Sequence, residues 1–126
     1  MKEKIKVLTI TPDKRDLKSI QDVHDKYVPD TYLCFKARNE KEAVKVINET
    51  NPQIIVIELL NAKMDGIALL ETVKQLCPQA KVFIYSFDDD QDTIDKFKEK
   101  GAYKYYIIPL LIETYFHDLY VALNLE

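Results

Sequence analysis

Glycine is almost missing from this chain: Gly66 and Gly101 are the only two in 126 residues. A glycine-rich loop that wraps phosphate groups is therefore excluded, because such loops need backbone free of side chains. Cysteine is equally scarce. Cys34 and Cys77 are too few and too far apart for a disulfide framework or a metal knuckle, which leaves two free thiols and points to a cytoplasmic protein. No block of one charge sign exceeds Asp88-Asp89-Asp90, and the net charge of −3 comes from 18 basic and 21 acidic residues. The clustered basic surface that nucleic-acid binding requires is absent. So is any apolar run of 18 residues, and Met1-Lys2-Glu3-Lys4 leads straight into a strand pattern, so neither a membrane span nor a signal peptide is expected. His24 and His117 lack a second ligand three or four residues on, which argues against a helical metal site. The closing Leu125-Glu126 could be a cloning scar, with the natural chain continuing beyond it.

What is present is a regular alternation. Short apolar runs at Ile5 to Ile10, Tyr32 to Lys36, Ile54 to Leu59, Lys81 to Ser86 and Tyr103 to Ile108 read as strands. Between them apolar residues fall at helical spacing: Leu17, Ile20 and Tyr27, then Ala43, Val46 and Ile47, then Ile67, Leu70 and Val73. Ile94 and Phe97 carry a thin fourth stripe, and Ile112, Tyr115, Phe116, Leu119 and Leu123 a fifth. Pro52, Pro78 and Gly101 follow the second, third and fourth helices as stop signals. No linker or repeat interrupts residues 1–126, so five βα units in one α/β domain are expected, with helices on both faces of a parallel sheet.

Residues 52 to 66, PQIIVIELLNAKMDG, are the most informative stretch. Ile54-Ile55-Val56-Ile57 has no polar alternation, as expected of a central parallel strand buried on both faces. It ends on one carboxylate, Glu58, at the strand end where such sheets place functional groups. This stretch resembles the third strand and following loop of two-component response-regulator receiver domains, Pro52 through Gly66 matching without a gap. Glu42-Ala43, Ser86, Gly101-Ala102, Tyr105 and Pro109 match further motifs of that family in order, and the likeness extends over residues 4 to 124. The resemblance implies a flavodoxin-like (βα)5 doubly wound three-layer sandwich with strand order 2-1-3-4-5.

The reactive set implied by that family does not carry over. Glu58 stands where receivers have the phosphorylated aspartate, Thr11-Pro12 where an acidic pair holds Mg²⁺, and Ile108 where a lysine meets the phosphoryl group. Asp13 is the only acid near Thr11-Pro12, and it reads most simply as a helix N-cap. Ser86 alone is kept. Mg²⁺ needs near-octahedral oxygen ligation, so binding is expected to be weak or absent and no other cofactor is implied. Loss of the lysine charge alone can lower a phosphoryl-transfer rate by ~10²-fold or more.

Glu58 itself reads as a solvated carboxylate at a strand end, or else as an imitation of the phosphorylated state held by a hydrogen bond from Ser86. Five of eight tyrosines, Tyr103, Tyr105, Tyr106, Tyr115 and Tyr120, lie on the last strand and last helix. Tyr115 is expected in the core; Tyr105, Tyr106 and Tyr120 are the switch or interface candidates, because in receivers the fourth helix, fifth strand and fifth helix form the usual output face. The expectation is therefore a non-enzymatic, atypical receiver that meets a protein partner or its own copy through that face, with no direct nucleic-acid or membrane contact. The alternative is a working phosphoacceptor in a phosphorelay that uses Glu58 or another acid, possibly as the N-terminal part of a longer transcriptional regulator.

Overall fold

A computed structural model describes residues 4–11, 32–59, 65–108 and 112–122. Five strands, β1 (Ile5–Ile10), β2 (Tyr32–Ala37), β3 (Ile54–Leu59), β4 (Lys81–Ser86) and β5 (Lys104–Ile107), form one parallel sheet in the order β2-β1-β3-β4-β5. Four described helices connect or follow them: α1 (Glu40–Thr50), α2 (Gly66–Leu76), α3 (Gln91–Glu99) and α4 (Ile112–Ala122). They are the second to fifth of the five helices expected; the first, marked by Leu17, Ile20 and Tyr27, lies outside the described residues. Three strand ends, on two strands, differ by one residue from expectation. β2 continues to Ala37, which pairs with Ile10, and β5 runs from Lys104 to Ile107 instead of Tyr103 to Ile108.

β3 is central and its apolar run is buried without exception from Ile54 to Glu58. Pleating sends alternate residues to opposite faces. Ile55 and Ile57 join Leu8, Ile10, Leu70, Val73, Ile84 and Phe97 in a core under α1, α2 and α3. Ile54 and Val56 join Val7, Phe83, Tyr115 and Leu119 in a second core under α4.

Helix starts are set by side chains that accept from otherwise unpaired backbone N–H groups. Asn39 accepts from Glu42 N at 2.9 Å, Asp65 from Ala68 N at 3.1 Å, and Asp90 from Thr93 N at 3.0 Å. Ends differ from the simple stop rule at one point: α1 closes on Asn51 in the left-handed region at φ 50, one residue before Pro52. Gly101 follows α3 at φ 111, a conformation that side-chain-bearing residues rarely adopt. Gly101→Ala is expected to lower stability by about 1–2 kcal/mol in urea melts, because φ must stay positive there. Gly66 serves close packing instead. A Cβ there would lie 2.7 Å from Leu59 Cδ1 and 2.9 Å from Phe97 Cζ, so glycine lets α2 start hard against the end of β3.

Candidate functional site

Register brings the strand ends to one edge of the sheet. Ile10 pairs with Ile57, Leu59 with Ser86, and Ser86 with Ile107. The ladder reaches one residue further on both flanks, as Thr11 N donates to Ala37 O (2.9 Å) and Ile108 N donates to Ser86 O (2.9 Å). Thr11, Glu58, Ser86 and Ile108 therefore share the carboxyl edge, the usual ligand side of an open parallel sheet. Pro12, Asp13 and Pro109 lie outside the described residues.

Glu58 corrects an expectation: it is not solvated. Its exposure is 0%, and both carboxylate oxygens are cut off from solvent. The reason lies in strand parity. Glu58 continues the Ile54–Val56 face, which packs toward α4, so its side chain is covered and does not reach water. Tyr115 of α4, also 0% exposed, lies within reach of its charge. Burial raises the Tyr115 phenol well above its ordinary range, and the neighbouring Tyr32, Tyr106, Cys34 and Glu58 add to the rise.

Ser86 is engaged elsewhere. Its parity is that of Val82 and Ile84, the other face of the sheet, and its Oγ accepts from Asp88 N at 3.0 Å. Tyr105 turns inward beside it. The Tyr105 hydroxyl donates to Asp88 O at 2.8 Å, and its ring sits 5.5 Å from that of Phe97. Burial raises the Tyr105 phenol, the Ser86 hydrogen bond opposes this, and Asp88, Asp89 and Asp90 add to it. The imagined bond from Ser86 to Glu58 is replaced by this Ser86–Asp88–Tyr105 group.

Tyr106 points to the opposite face from Tyr105. It is half-buried, 6.0 Å from both Phe83 and Tyr115, and its hydroxyl donates to Asp118 Oδ2 at 2.6 Å. Burial, that bond and the Asp118 charge push its phenol far up. The side chain of Tyr120 lies outside the described ones. Among the described residues, exposed apolar groups near β5 and α4 are Phe87 (61%), Ile107 (44%) and Val121 (43%), which aromatic counting passed over.

Sequence reading also missed Thr9. It lies on the Glu58 side of the sheet, 0% exposed, and its Oγ1 has no hydrogen-bond partner among the described residues. An apolar neighbour pattern in β1 gives no hint that a hydroxyl would be left unsatisfied. Thr9→Val is expected to raise stability by about 1 kcal/mol, since a buried hydroxyl without a partner costs its desolvation. A fall in the urea midpoint would show that the hydroxyl is satisfied in solution.

Among the described residues, no group of three or more His, Cys, Asp or Glu side chains is placed to hold a metal. No described helix is long and apolar enough to cross a membrane. Cys77 is a packed thiol, buried and raised by burial, with Sγ 3.4 Å from both Asn51 Oδ1 and Pro52 O.

The response regulator receiver domain family matches residues 5–110. This chain belongs to that family. Receivers are signalling modules of two-component systems that work by meeting other proteins. The present receiver is similar to the probable C4-dicarboxylate response regulator DctR of Bacillus subtilis, 28% identical over 111 residues, which is 86% of this chain and 47% of DctR. It thus spans about half the length of that relative. Chemotaxis protein CheY of Listeria monocytogenes is 31% identical over 80 residues, 64% of this chain and 67% of CheY. Among solved structures, a two-component response regulator from Clostridium difficile superposes with a TM-score of 0.82 at 20% identity, covering 96% of this chain and 97% of that one. At such identity the likeness speaks for the fold, which is flavodoxin-like with the 2-1-3-4-5 order.

Proposed function

We propose that this receiver acts in signal transduction through protein contact, without the standard aspartyl phosphate and without enzymatic turnover. The observation that carries the reading is the complete burial of Glu58 at the position of the phosphoacceptor. An in-line attack on a phosphodonor requires a nucleophile that the donor can reach, together with cationic groups around the transferring phosphoryl. Glu58 has no solvent-facing oxygen, and Ile108 offers no charge where the family has lysine.

The donor set also suits Mg²⁺ poorly. Thr11 is buried and neutral, Pro12 has no side-chain oxygen where the family has an acid, and Glu58 is closed off from solvent. A small divalent ion that keeps several waters does not fit beside a carboxylate shut off from water. Weak or absent Mg²⁺ binding follows.

The contact surface in this reading is α3, β5 and α4, the family's fourth helix, fifth strand and fifth helix. Among the described residues Ile107 and Val121 give it exposed apolar area, and the Tyr106–Asp118 bond ties β5 to α4. Incubation with acetyl phosphate and Mg²⁺, followed by intact mass measurement, tests the reading. An unchanged mass is expected. A stable phosphoryl adduct that Glu58→Gln abolishes would make this receiver a working phosphorelay component.

A further inference from the structure

We propose that Phe87, bordered by Asp88, Asp89, Asp90 and Asp92, docks a protein segment that carries an apolar side chain flanked by lysine or arginine. The proposal rests on the reading that this receiver works through protein contact, and it gives that contact a place and a chemistry.

Phe87 is the most exposed large apolar residue among those described, at 61%. An exposed aromatic on a loose loop would mean little. This loop, however, is tied at each step. Ser86 Oγ accepts from Asp88 N (3.0 Å), Asp88 Oδ1 from Asp90 N (2.9 Å), and Asp90 Oδ2 from Thr93 N and Thr93 Oγ1 (both 3.0 Å). Tyr105 donates to Asp88 O from below at 2.8 Å. Phe87 is thus held out by a pre-ordered backbone, which lowers the ordering cost of binding. Aromatic anchors of this kind dominate interface energetics when a partner covers them.

Charge chooses the occupant. Asp88, Asp89, Asp90 and Asp92 are all exposed, and none takes part in an ion pair among the described residues. Asp89 makes no hydrogen bond there either, whereas Asp88 and Asp90 spend oxygens on the loop itself. A two-fold contact between copies through this patch would set each acidic run against its mate, at a repulsive cost. Nucleic-acid phosphates are repelled for the same reason. A cationic segment with an apolar centre meets both features at once.

The test uses a random peptide library displayed on phage, selected against the intact protein. Recovered peptides are then titrated by fluorescence polarisation against wild type, Phe87→Ser and the double variant Asp89→Asn/Asp92→Asn. These three side chains are exposed and leave the caps in place. Expected are peptides with an aromatic or aliphatic residue between basic ones, weakened ~10-fold or more by Phe87→Ser. The double variant should weaken them a few-fold, with the loss shrinking at high salt. The proposal is overturned by a selection without enrichment, by peptides lacking basic residues, or by affinities that Phe87→Ser leaves unchanged. Concentration-dependent dimerisation that Phe87→Ser removes would place a second copy there and equally overturn it. A phosphoryl adduct on Glu58 would sink the functional reading while leaving these titrations to be judged by themselves.

Discussion

Tyr115→Ala is expected to cost about 3–5 kcal/mol of stability, the range for deleting a fully buried aromatic. Tyr115 has 0% exposure and stands edge-on to Phe83, with ring centroids 5.7 Å apart, and to Tyr106 at 6.0 Å. It joins α4 to the face of the sheet formed by Val7, Ile54 and Val56. With that ring removed, the helix loses its main anchor, and Leu119 is the remaining fully buried side chain described on α4. Urea unfolding followed by circular dichroism measures the loss. A cost under about 1 kcal/mol would mean that α4 is not docked as described, since even partial relaxation leaves a cavity term at such a site. The same experiment bears on function. A poorly docked α4 would shift Tyr106, Asp118 and Val121 together, and with them the proposed contact surface.

The second large effect is a gain of chemistry. Replacing Thr11 and Pro12 with aspartate, Glu58 with aspartate and Ile108 with lysine is expected to raise labelling by acetyl phosphate in the presence of Mg²⁺ by ~10²-fold or more over wild type. Each change supplies one missing element: metal ligands, a nucleophile of receiver length and a cation for the phosphoryl oxygens. Because these act on one step, the single variants should recover far less than the set. Thermal melts alongside the assay separate lost folding from lost chemistry, since Thr11 and Glu58 are buried positions that resist an added charge. If wild type labels as readily as the fourfold variant, the edge of the sheet is not chemically degenerate.

Most of the architecture was legible because it rests on pattern. The unbroken Ile54 to Ile57 run fixes the centre of the sheet, and alternating βα order fixes parallel pairing. The motif match added strand order and the place of the site. Three features were not legible, and for a common reason: each depends on which face a side chain takes after folding. Glu58 at a strand end looks solvated in sequence, yet parity turns it toward Tyr115. Ser86, two residues along β4 from Ile84, falls on the other face and binds the Asp88 loop. Tyr105 and Tyr106 are adjacent in sequence but serve opposite faces, one against Phe97 and Asp88, the other against Asp118. Composition also drew attention to tyrosine at the expected interface. Among the described residues, exposed apolar surface there includes Phe87, Ile107 and Val121, which periodicity alone does not single out.

The most direct measurement is a ¹⁵N correlation spectrum of the protein titrated with Mg²⁺ and then with beryllofluoride, a mimic of the aspartyl phosphate. Amides of Glu58, Ser86, Asp88 and Tyr105 should stay in place through both additions, because a carboxylate shut away from water offers neither ion a seat. Saturable shifts at those four amides, dependent on Mg²⁺ and lost in Glu58→Gln, would contradict that expectation and restore a working phosphoacceptor.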